Sequence, residues 1–215
     1  MDEKNIENAD FDISVYENKS SGRKFLDIIL NVILVILLAF IAFRIIYEPV
    51  IVDGHSMDPT LFNGERVALD RTAKTFDIGD IVVVDVEDLV DHESTLIIKR
   101  VVAVAGDRIA FKYNSDRKII EFYRNDMTTP VNESYILENM TDIGKFGIDK
   151  VFSPEEKIEG DGIITIGQDE IFVMGDNRNN SLDSRRRGAV KISSVRGKMA
   201  FAISGNALFS IVFGF

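Results

Sequence analysis

The apolar residues of this chain are concentrated in one long run, residues 25–47, near its N-terminal end. Within it, residues 28–43 carry no charge, and Asn31 is their only polar residue. Read as an α-helix rising about 1.5 Å per residue, the run spans roughly 34 Å, enough to cross a hydrocarbon core of about 30 Å. Asp27 and Arg44 lie near its two ends, where their charges can reach the headgroups. We therefore predict a transmembrane helix over residues 25–47.

The flanks of this run favour a permanent anchor whose N-terminal end faces the cytoplasm. A cleaved leader would end in small residues, but residues 44–49 are bulky or charged apart from the proline. A core helix of a soluble protein would carry polar residues at helical spacing, whereas this run is apolar on every side. Lys19, Arg23 and Lys24 precede the run, whereas Arg44, beside Glu48, is the one base near its C-terminal end. The positive-inside rule then places the rest of the chain outside the cytoplasm.

The remainder, residues 48–215, has the pattern of a mostly β domain. Short runs rich in β-branched residues recur between turn residues such as Gly79-Asp80 and Gly106-Asp107. No helical period is convincing there. The predicted strands are residues 65–69, 81–86, 96–104, 108–113, 118–123, 162–166, 170–174 and 196–203.

Three stretches lack a clear pattern. Residues 1–24 mix acids, bases and small polar residues, which predicts a short disordered cytoplasmic tail. Residues 125–159 are polar and weakly patterned, which indicates an insertion or a long loop. Residues 207–215 are apolar but too short for a helical span, so they form either a last strand or a membrane-surface patch.

Composition narrows the possible chemistry. A chain of 215 residues has room for one domain and a small addition. The absence of cysteine excludes disulfides, thiolate nucleophiles, zinc fingers and iron–sulfur clusters. The formal charge of −10 disfavours nucleic acid as a partner. Only two histidines are present, His55 and His92, so a three-histidine metal site is excluded.

The segment that follows the predicted anchor places a serine on a turn. It reads V-D-G-H-S-M-D-P-T-L, from Val52 to Leu61. Gly54 lets the backbone approach a substrate closely, and Pro59 restricts the chain just after Ser56. Ser56 is therefore a candidate nucleophile. The same residue types also make an ordinary turn, so this segment does not decide the matter by itself.

A serine nucleophile needs a base, and Lys99 is the best candidate. If residues 96–104 form a strand, Lys99 shares a face with Ile97 and Val101, and such apolar surroundings lower the pKa of a lysine. A lysine whose amine extends to water would have the same neighbours in sequence. Arg100 has equally apolar neighbours, but a guanidinium stays charged and cannot act as the base.

The two histidines are weaker candidates for the base. His55 adjoins Ser56, and neighbours on an extended chain point to opposite sides. His92 lies between Asp91 and Glu93, whose carboxylates would keep it charged and solvated. A Ser-His-Asp hydrolase that uses His92 nevertheless remains an alternative.

A third polar segment, residues 174–188, reads M-G-D-N-R-N-N-S-L-D-S-R-R-R-G. Its acids, arginines and hydroxyls follow a predicted strand and can build a buried network of ion pairs and hydrogen bonds. The alternatives are a solvated basic loop, or a patch for anionic lipid formed by Arg185, Arg186 and Arg187.

Behind an anchor and in this order, the three segments resemble the bacterial type I signal peptidases. The motifs that carry the resemblance are S-M-D-P-T-L, K-R-V-V-A-V-A-G-D and G-D-N-R-N-N-S-L-D-S-R. The pair R-V-A-L and I-G-D-I-V-V-V is similar to the strand–turn–strand segment of that family. The resemblance covers residues 25–203. Lysine at position 99 is typical of the bacterial type, and the short interval between the two halves is typical of a Gram-positive-like enzyme.

The resemblance implies a fold, an activity and partners. The fold is an antiparallel β-sheet catalytic domain behind one transmembrane helix. The activity is that of a serine endopeptidase, which removes signal peptides from secreted preproteins through an acyl-enzyme and cuts after small residues. No metal or organic cofactor is implied. The expected partners are preprotein signal peptides, the lipid bilayer and a nearby secretory translocon.

Residue by residue, the resemblance makes Ser56 the nucleophile and Lys99 the general base. Ser181 corresponds to a serine that hydrogen-bonds and orients the lysine amine. Met57 and Pro59 would shape the substrate groove. The charged scaffold of the site corresponds to Asp176, Arg178, Asp183 and Arg185.

Two departures from the family pattern bear on the site. Gly54 stands where some members have a serine whose hydroxyl helps to hold the oxyanion, so the Ser56 N–H would need another donor beside it. Residues 185–187 are all arginine where the family often has an aromatic residue.

Two further alternatives stay open at this point. A soluble Ser-Lys protease of the self-cleaving repressor type shares the chemistry but has no anchor. A non-catalytic anchored β-domain remains possible if Ser56 and Lys99 do not meet.

Overall fold

The structure is a computed structural model that describes residues 21–87, 94–141 and 151–203. The chain forms two compact units, of which the first ends at Ile45 and the second begins at Ile46. The helices and strands within the described residues are α1 (Ser21–Ile46), β1 (Tyr47–Ile51), β2 (Arg66–Asp70), β3 (Ile81–Glu87), β4 (Ser94–Ala103), β5 (Arg108–Asn114), β6 (Ile119–Arg124), β7 (Ile164–Thr165), β8 (Glu170–Met174), α2 (Ser184–Arg187), β9 (Val190–Lys191) and β10 (Val195–Ile203).

Helix α1 confirms the apolar helix that the sequence predicts. Ser21, the first described residue, is already helical, so the helix begins before the predicted start at residue 25. It ends at Ile46, because Tyr47 pairs with Asp70 and begins β1. By length and composition, residues 22–46 are able to cross a membrane. Most of the predicted disordered tail lies outside the described residues.

The domain after the helix consists of two sheets in which the paired strands run antiparallel. The larger sheet has seven strands in the order β1-β2-β10-β3-β4-β8-β9, and the smaller has three in the order β6-β5-β7. The prediction of a mostly β, antiparallel fold is confirmed. The last described strand, β10, pairs with β2 on one side and with β3 on the other, so the C-terminal part of the domain is hydrogen-bonded to its N-terminal part.

The strands that the sequence pattern missed are short or lie at an edge. β1 and β9 are the two edge strands of the larger sheet. Edge strands of this kind are half-exposed and lack a clean alternation of apolar and polar residues. The strand predicted at residues 162–166 is reduced to the two residues of β7. Helix α2, a single turn that starts at Asp183 as its N-cap, was not expected.

The weakly patterned stretch at residues 125–159 is described at 125–141 and 151–159. These parts contain isolated bridges but no helix or strand, and a short 3-10 turn, Gly160–Gly162, follows them. The stretch is nevertheless packed against the smaller sheet. Ile120 N–H donates to the carbonyl of Met140, and Phe152 N–H donates to that of Phe111. Met140 and Phe152 are buried. The apolar C-terminal residues 207–215 lie outside the described part of the chain.

Two cores position the candidate site. One fills the space between the sheets, and its members are Val102, Ala103, Ile109, Phe111, Ile120, Phe122, Met140, Ile166, Phe172 and Met174. The other lies beneath the segment that carries Ser56, and its members are Val52, Met57, Leu61, Val67, Leu69, Val83 and Ile98. The Ser56 segment therefore rests on a packed sheet face, which restricts its movement.

Candidate active site

The central contact of the site joins Ser56 to Lys99. Nζ of Lys99 lies 2.7 Å from Oγ of Ser56, and it also donates to the carbonyl oxygen of Ile98 at 2.8 Å. Lys99 is in β4 and only 4% exposed. Burial lowers the pKa of Lys99 from 10.5 to about 8, and the negative charge of Asp183 opposes this shift only in part. A substantial fraction of the amine is therefore neutral near pH 8.

The segment that carries Ser56 is closed by backbone hydrogen bonds at its two ends. Val52 N–H donates to the Glu65 carbonyl, and Gly64 N–H donates to the Val52 carbonyl. Gly54 has a φ of +86°, which favours glycine, and a Cβ there would meet no protein atom. Its N–H donates to Oδ1 of Asn63. Gly54 therefore shapes the turn and leaves open space two residues before Ser56.

A cleft of about 290 Å³ adjoins Ser56 and Lys99. Its other lining residues are Val50, Ile51, Asp53, Val83, Leu96, Ile97 and Ile98. They come mainly from β1 and from the first half of β4. β1 is an edge strand, and the first half of β4 has one unpaired edge among the described strands, because β8 pairs with β4 only from Arg100 onward. The cleft therefore borders strand edges whose backbone groups can accept an added strand.

Met57 and Pro59, expected beside the groove, are not among the residues that line this cleft. Met57 is buried in the core beneath the segment, where it packs with Val52 and Leu61. Its role in the structure is to fix the segment from below.

Asp183 is the centre of the buried network in the third segment. Its carboxylate accepts Nε and Nη2 of Arg185, both at 2.8 Å, and the N–H of Gly175 at 2.9 Å. Burial alone would raise the pKa of Asp183, but the hydrogen bonds and charge of Arg185 outweigh burial and hold that pKa below its ordinary value. The carboxylate is thus kept ionised inside the protein.

Ser181 lies at the site but bonds differently from the expectation. Its hydroxyl donates to Oδ2 of Asp183 at 2.6 Å, and the hydrogen bonds of the Lys99 amine go to Ser56 and Ile98. The predicted hydrogen bond between Ser181 and Lys99 is not formed in this structure, where the Ser181 hydroxyl instead donates its proton to the ionised Asp183.

Gly175 is a site residue that the sequence analysis did not single out. A Cβ at this position would overlap the side chain of Ser181 and the carbonyl oxygen of Ser56. The absence of a side chain therefore allows the third segment to lie directly against the nucleophile. The adjoining Asn177 N–H donates to the same Ser56 carbonyl at 3.0 Å, and its side chain donates to the His55 carbonyl.

Asp176 holds Arg100 and Thr60, two residues whose roles the sequence analysis missed. Arg100 donates to both oxygens of Asp176, at 2.9 and 2.6 Å, and to the Gly79 carbonyl at 2.8 Å. The hydroxyl of Thr60 donates to Asp176 at 2.5 Å. In the sequence, the position of Arg100 directly after the candidate base and of Thr60 directly after Pro59 was the only indication that these residues belong to the site.

Arg178 is fully buried, as expected of a scaffold residue. Its Nε donates to the Gly175 carbonyl at 3.0 Å, and its two terminal nitrogens donate to the carboxylate of Glu133. Tyr135 lies beside this pair, 3.3 Å from Nη2 of Arg178. Glu133 and Tyr135 come from the weakly patterned stretch, which showed no sign of a contribution to the site.

The remaining candidates are placed away from the Ser56 hydroxyl or outside the described chain. Nδ1 of His55 lies 3.1 Å from Asp58, and the His55 side chain is largely exposed. His92 lies outside the described residues. Arg185 is buried and Arg187 donates to the Glu87 carbonyl, so the three consecutive arginines do not form one exposed basic patch.

Comparison with known proteins gives a family match over the whole site. A family model described as signal peptidase, peptidase S26, matches residues 25–204. The chain is 34% identical to signal peptidase I P of Bacillus subtilis subsp. natto, over 79% of this chain and 83% of that protein. It is 31% identical to signal peptidase I of Bacillus licheniformis, over 86% of this chain and 92% of that protein. It is 33% identical to signal peptidase I S of Bacillus subtilis strain 168, over 79% of this chain and 83% of that protein.

Among solved structures, the crystal structure of a signal peptidase I from Enterococcus faecalis V583 matches with a TM-score of 0.37. The match has 24% identity and covers 59% of this chain and 98% of that one. This similarity is too low to bear on the site.

Proposed function

The chain belongs to the signal peptidase family S26, and from this premise we propose that it is a membrane-anchored type I signal peptidase whose catalytic pair is Ser56 and Lys99. Membership of this family makes it a serine endopeptidase. The observation that carries the proposal is the 2.7 Å contact between Ser56 Oγ and the buried Lys99 Nζ. A buried amine with a pKa near 8 is suited to accept a serine proton.

Acylation begins when Lys99 is neutral. The serine proton moves to the lone pair of Nζ as Oγ forms a bond to the scissile carbonyl carbon. The resulting ammonium then donates this proton to the nitrogen of the leaving peptide as the C–N bond breaks. The products of this half-reaction are an ester on Ser56, a released peptide with a new N-terminal amine, and a neutral Lys99.

Deacylation repeats the same proton transfers with water. Lys99 accepts a proton from a water molecule that attacks the ester carbon, and it returns the proton to Ser56 Oγ as the ester bond breaks. The hydrogen bond from Nζ to the Ile98 carbonyl limits rotation of the amine through both steps. One basic group can therefore serve both halves of the reaction.

The Ser56 backbone supplies one donor for the oxyanion. Within the described residues its N–H has no hydrogen-bond partner, so it is available to a negatively charged oxygen. The peptide unit that contains this N–H is held through its carbonyl, that of His55, which accepts from the side chain of Asn177 at 3.0 Å. Gly54 contributes open space at this place and no side-chain donor.

The substrate is the signal peptide of a secreted preprotein, bound in the cleft as an added strand. The cleft is lined chiefly by aliphatic side chains, and we expect it to accept small residues before the cut and to exclude large ones. The apolar helix anchors the enzyme in the bilayer, with its N-terminus in the cytoplasm and the β domain outside. Preproteins would reach the enzyme from a secretory translocon in the same membrane.

The test is cleavage of a purified preprotein by the full chain in detergent. We expect one cut after a small residue, identified by the mass and N-terminal sequence of the product. Ser56→Ala and Lys99→Ala should each reduce the rate to near background, and the double variant should be little slower than either, since the two residues act as a unit. His55→Ala is the matched control and should retain activity.

The outcomes also separate the alternatives. Self-cleavage of the chain without cleavage of a preprotein would favour the repressor type of Ser-Lys protease. Folded protein that cuts nothing would favour a non-catalytic domain. Substantial turnover by Lys99→Ala would refute the Ser-Lys assignment, and loss of activity in His92→Ala would favour a histidine base.

A further inference from the structure

Glu133 and Tyr135 bring the weakly patterned stretch into contact with the arginines around the site. Glu133 binds both terminal nitrogens of the fully buried Arg178, one of them at 2.8 Å. The hydroxyl of Tyr135 donates to Oε1 of Glu133 at 2.6 Å, the same oxygen that accepts Nη2 of Arg178. The buried guanidinium of Arg178 is thereby neutralised and fixed in orientation.

The ring of Tyr135 also covers a second arginine. The guanidinium carbon of Arg100 lies 4.2 Å from the centre of this ring, a distance typical of a cation–π contact. Nε and Nη2 of the same guanidinium donate to the two oxygens of Asp176. Tyr135 therefore contacts Arg100 through its face and Arg178 through its hydroxyl.

Each of the two arginines is connected to the segment that carries Ser56 through its own chain of contacts. Arg100 holds Asp176, which accepts the hydroxyl of Thr60 in the segment that carries Ser56. Arg178 holds the carbonyl of Gly175, whose α-carbon lies against the carbonyl of Ser56. Neither Glu133 nor Tyr135 lines the substrate cleft.

We propose that Glu133 and Tyr135 are positioning residues of the active site, which act through Arg100 and Arg178 to hold the third segment against Ser56. The inference rests on the proposed function, since it gives these residues a role in the reaction of Ser56 and Lys99. A displacement of about 1 Å at a reacting group can cost about 100-fold in rate, so loss of this support affects turnover more than substrate binding.

The experiment compares Tyr135→Leu with Tyr135→Phe in the full chain. Phenylalanine keeps the ring on Arg100, whereas leucine keeps apolar bulk without an aromatic face. We expect Tyr135→Leu to lower kcat by about 10- to 100-fold with KM within about threefold, and Tyr135→Phe to restore kcat to within about threefold of the wild type. Glu133→Gln should lower kcat by about tenfold, because it weakens the hold on Arg178.

The chain contains a matched control pair. In β6, Tyr123 donates its hydroxyl to Glu121, two residues before it, at 2.9 Å, as Tyr135 does to Glu133. Tyr123→Leu and Glu121→Gln should lower thermal stability without lowering kcat when assayed well below the midpoint of unfolding. If Tyr135→Leu does not fold, the kcat of Glu133→Gln is compared with that of Glu121→Gln, and a loss confined to Glu133→Gln supports the positioning role.

Equal kcat values in Tyr135→Leu and Tyr135→Phe would overturn the inference, as would an equal loss of kcat in the Tyr123 and Glu121 variants. A rise in KM at constant kcat would also contradict it. Ser56→Ala, assayed in parallel, separates this failure from that of the proposed function. Cleavage by Ser56→Ala refutes the proposed function, whereas loss of cleavage there with full activity in Tyr135→Leu refutes only the positioning role.

Discussion

The α-carbon of Gly175 lies so close to the carbonyl oxygen of Ser56 that no side chain fits between them. The backbone of Gly175 also donates to Asp183 and accepts from Arg178. One glycine thus joins the nucleophile segment, the buried carboxylate and a buried arginine. The φ angle of Gly175 is not positive, so glycine is required here because there is no space for a side chain.

The Gly175→Ala variant should therefore lose activity for a steric reason. A methyl group would push the third segment away from Ser56, and we expect cleavage to fall by about 100-fold or more. The control is Gly167→Ala, whose methyl group would meet the flexible side chain of Glu170 first. Both variants are measured by initial rates of preprotein cleavage. Activity of Gly175→Ala within about threefold of the wild type would contradict this account.

Activity should rise with pH as Lys99 loses its proton. The pKa of about 8 predicts a single alkaline limb in kcat/KM with its midpoint near that value. The measurement is the rate of cleavage at subsaturating substrate between about pH 6 and 10. A midpoint near 6.5 that disappears in His92→Ala would instead identify a histidine as the base.

The burial of Lys99 should also make stability depend on pH. Because folding lowers its pKa from 10.5 to about 8, the unfolded chain binds the extra proton between these values, and stability rises with pH across this window. Below it, the buried ammonium costs about 3 kcal/mol. Lys99→Met removes the charge, so its stability advantage should be largest below pH 8 and should shrink towards pH 10.5. Denaturant unfolding at several pH values tests this, and an advantage that does not change with pH would contradict it.

The Arg100–Asp176 pair should contribute far more than an exposed pair. Asp176→Ala would leave Arg100, which is 12% exposed, without its carboxylate, and we expect a loss of about 3–5 kcal/mol in unfolding free energy. Arg196→Ala breaks a more exposed pair with Glu48, which keeps Arg71 as a second partner, and should cost less than about 1 kcal/mol. Equal losses in the two variants would show that the Asp176 network adds no stability of its own.

Topology can be tested on intact protoplasts. The bases before the apolar run predict that externally added protease digests the β domain and leaves the N-terminal segment protected. Antibodies against a tag at each end of the chain report the fragments. Protection of the β domain with digestion of the N-terminal tag would reverse the proposed orientation.

Several features of this protein follow from local sequence alone. Residues 28–43 contain no charge and one polar residue, and such a run forms a helix suited to lipid whatever else the chain does. β3 and β8 coincide closely with their predicted ranges, because their apolar residues and flanking turns are local signals. The pairing of Ser56 with Lys99 was reached through residue chemistry and family motifs, and the structure brings the two side chains together.

Other features depended on contacts between residues that are distant in sequence. Glu133 and Tyr135 lie in a stretch without a regular pattern, and only the packing of that stretch brings them to Arg178 and Arg100. The partner of Ser181 depends on where Asp183 is held, and the need for glycine at position 175 depends on the approach of Ser56. Composition and periodicity act over a few residues, and they therefore determined the elements and the candidate chemistry. Which buried polar groups meet is set by the packing of the whole domain, because each must find a partner once water is excluded, and only the tertiary structure decided those partners.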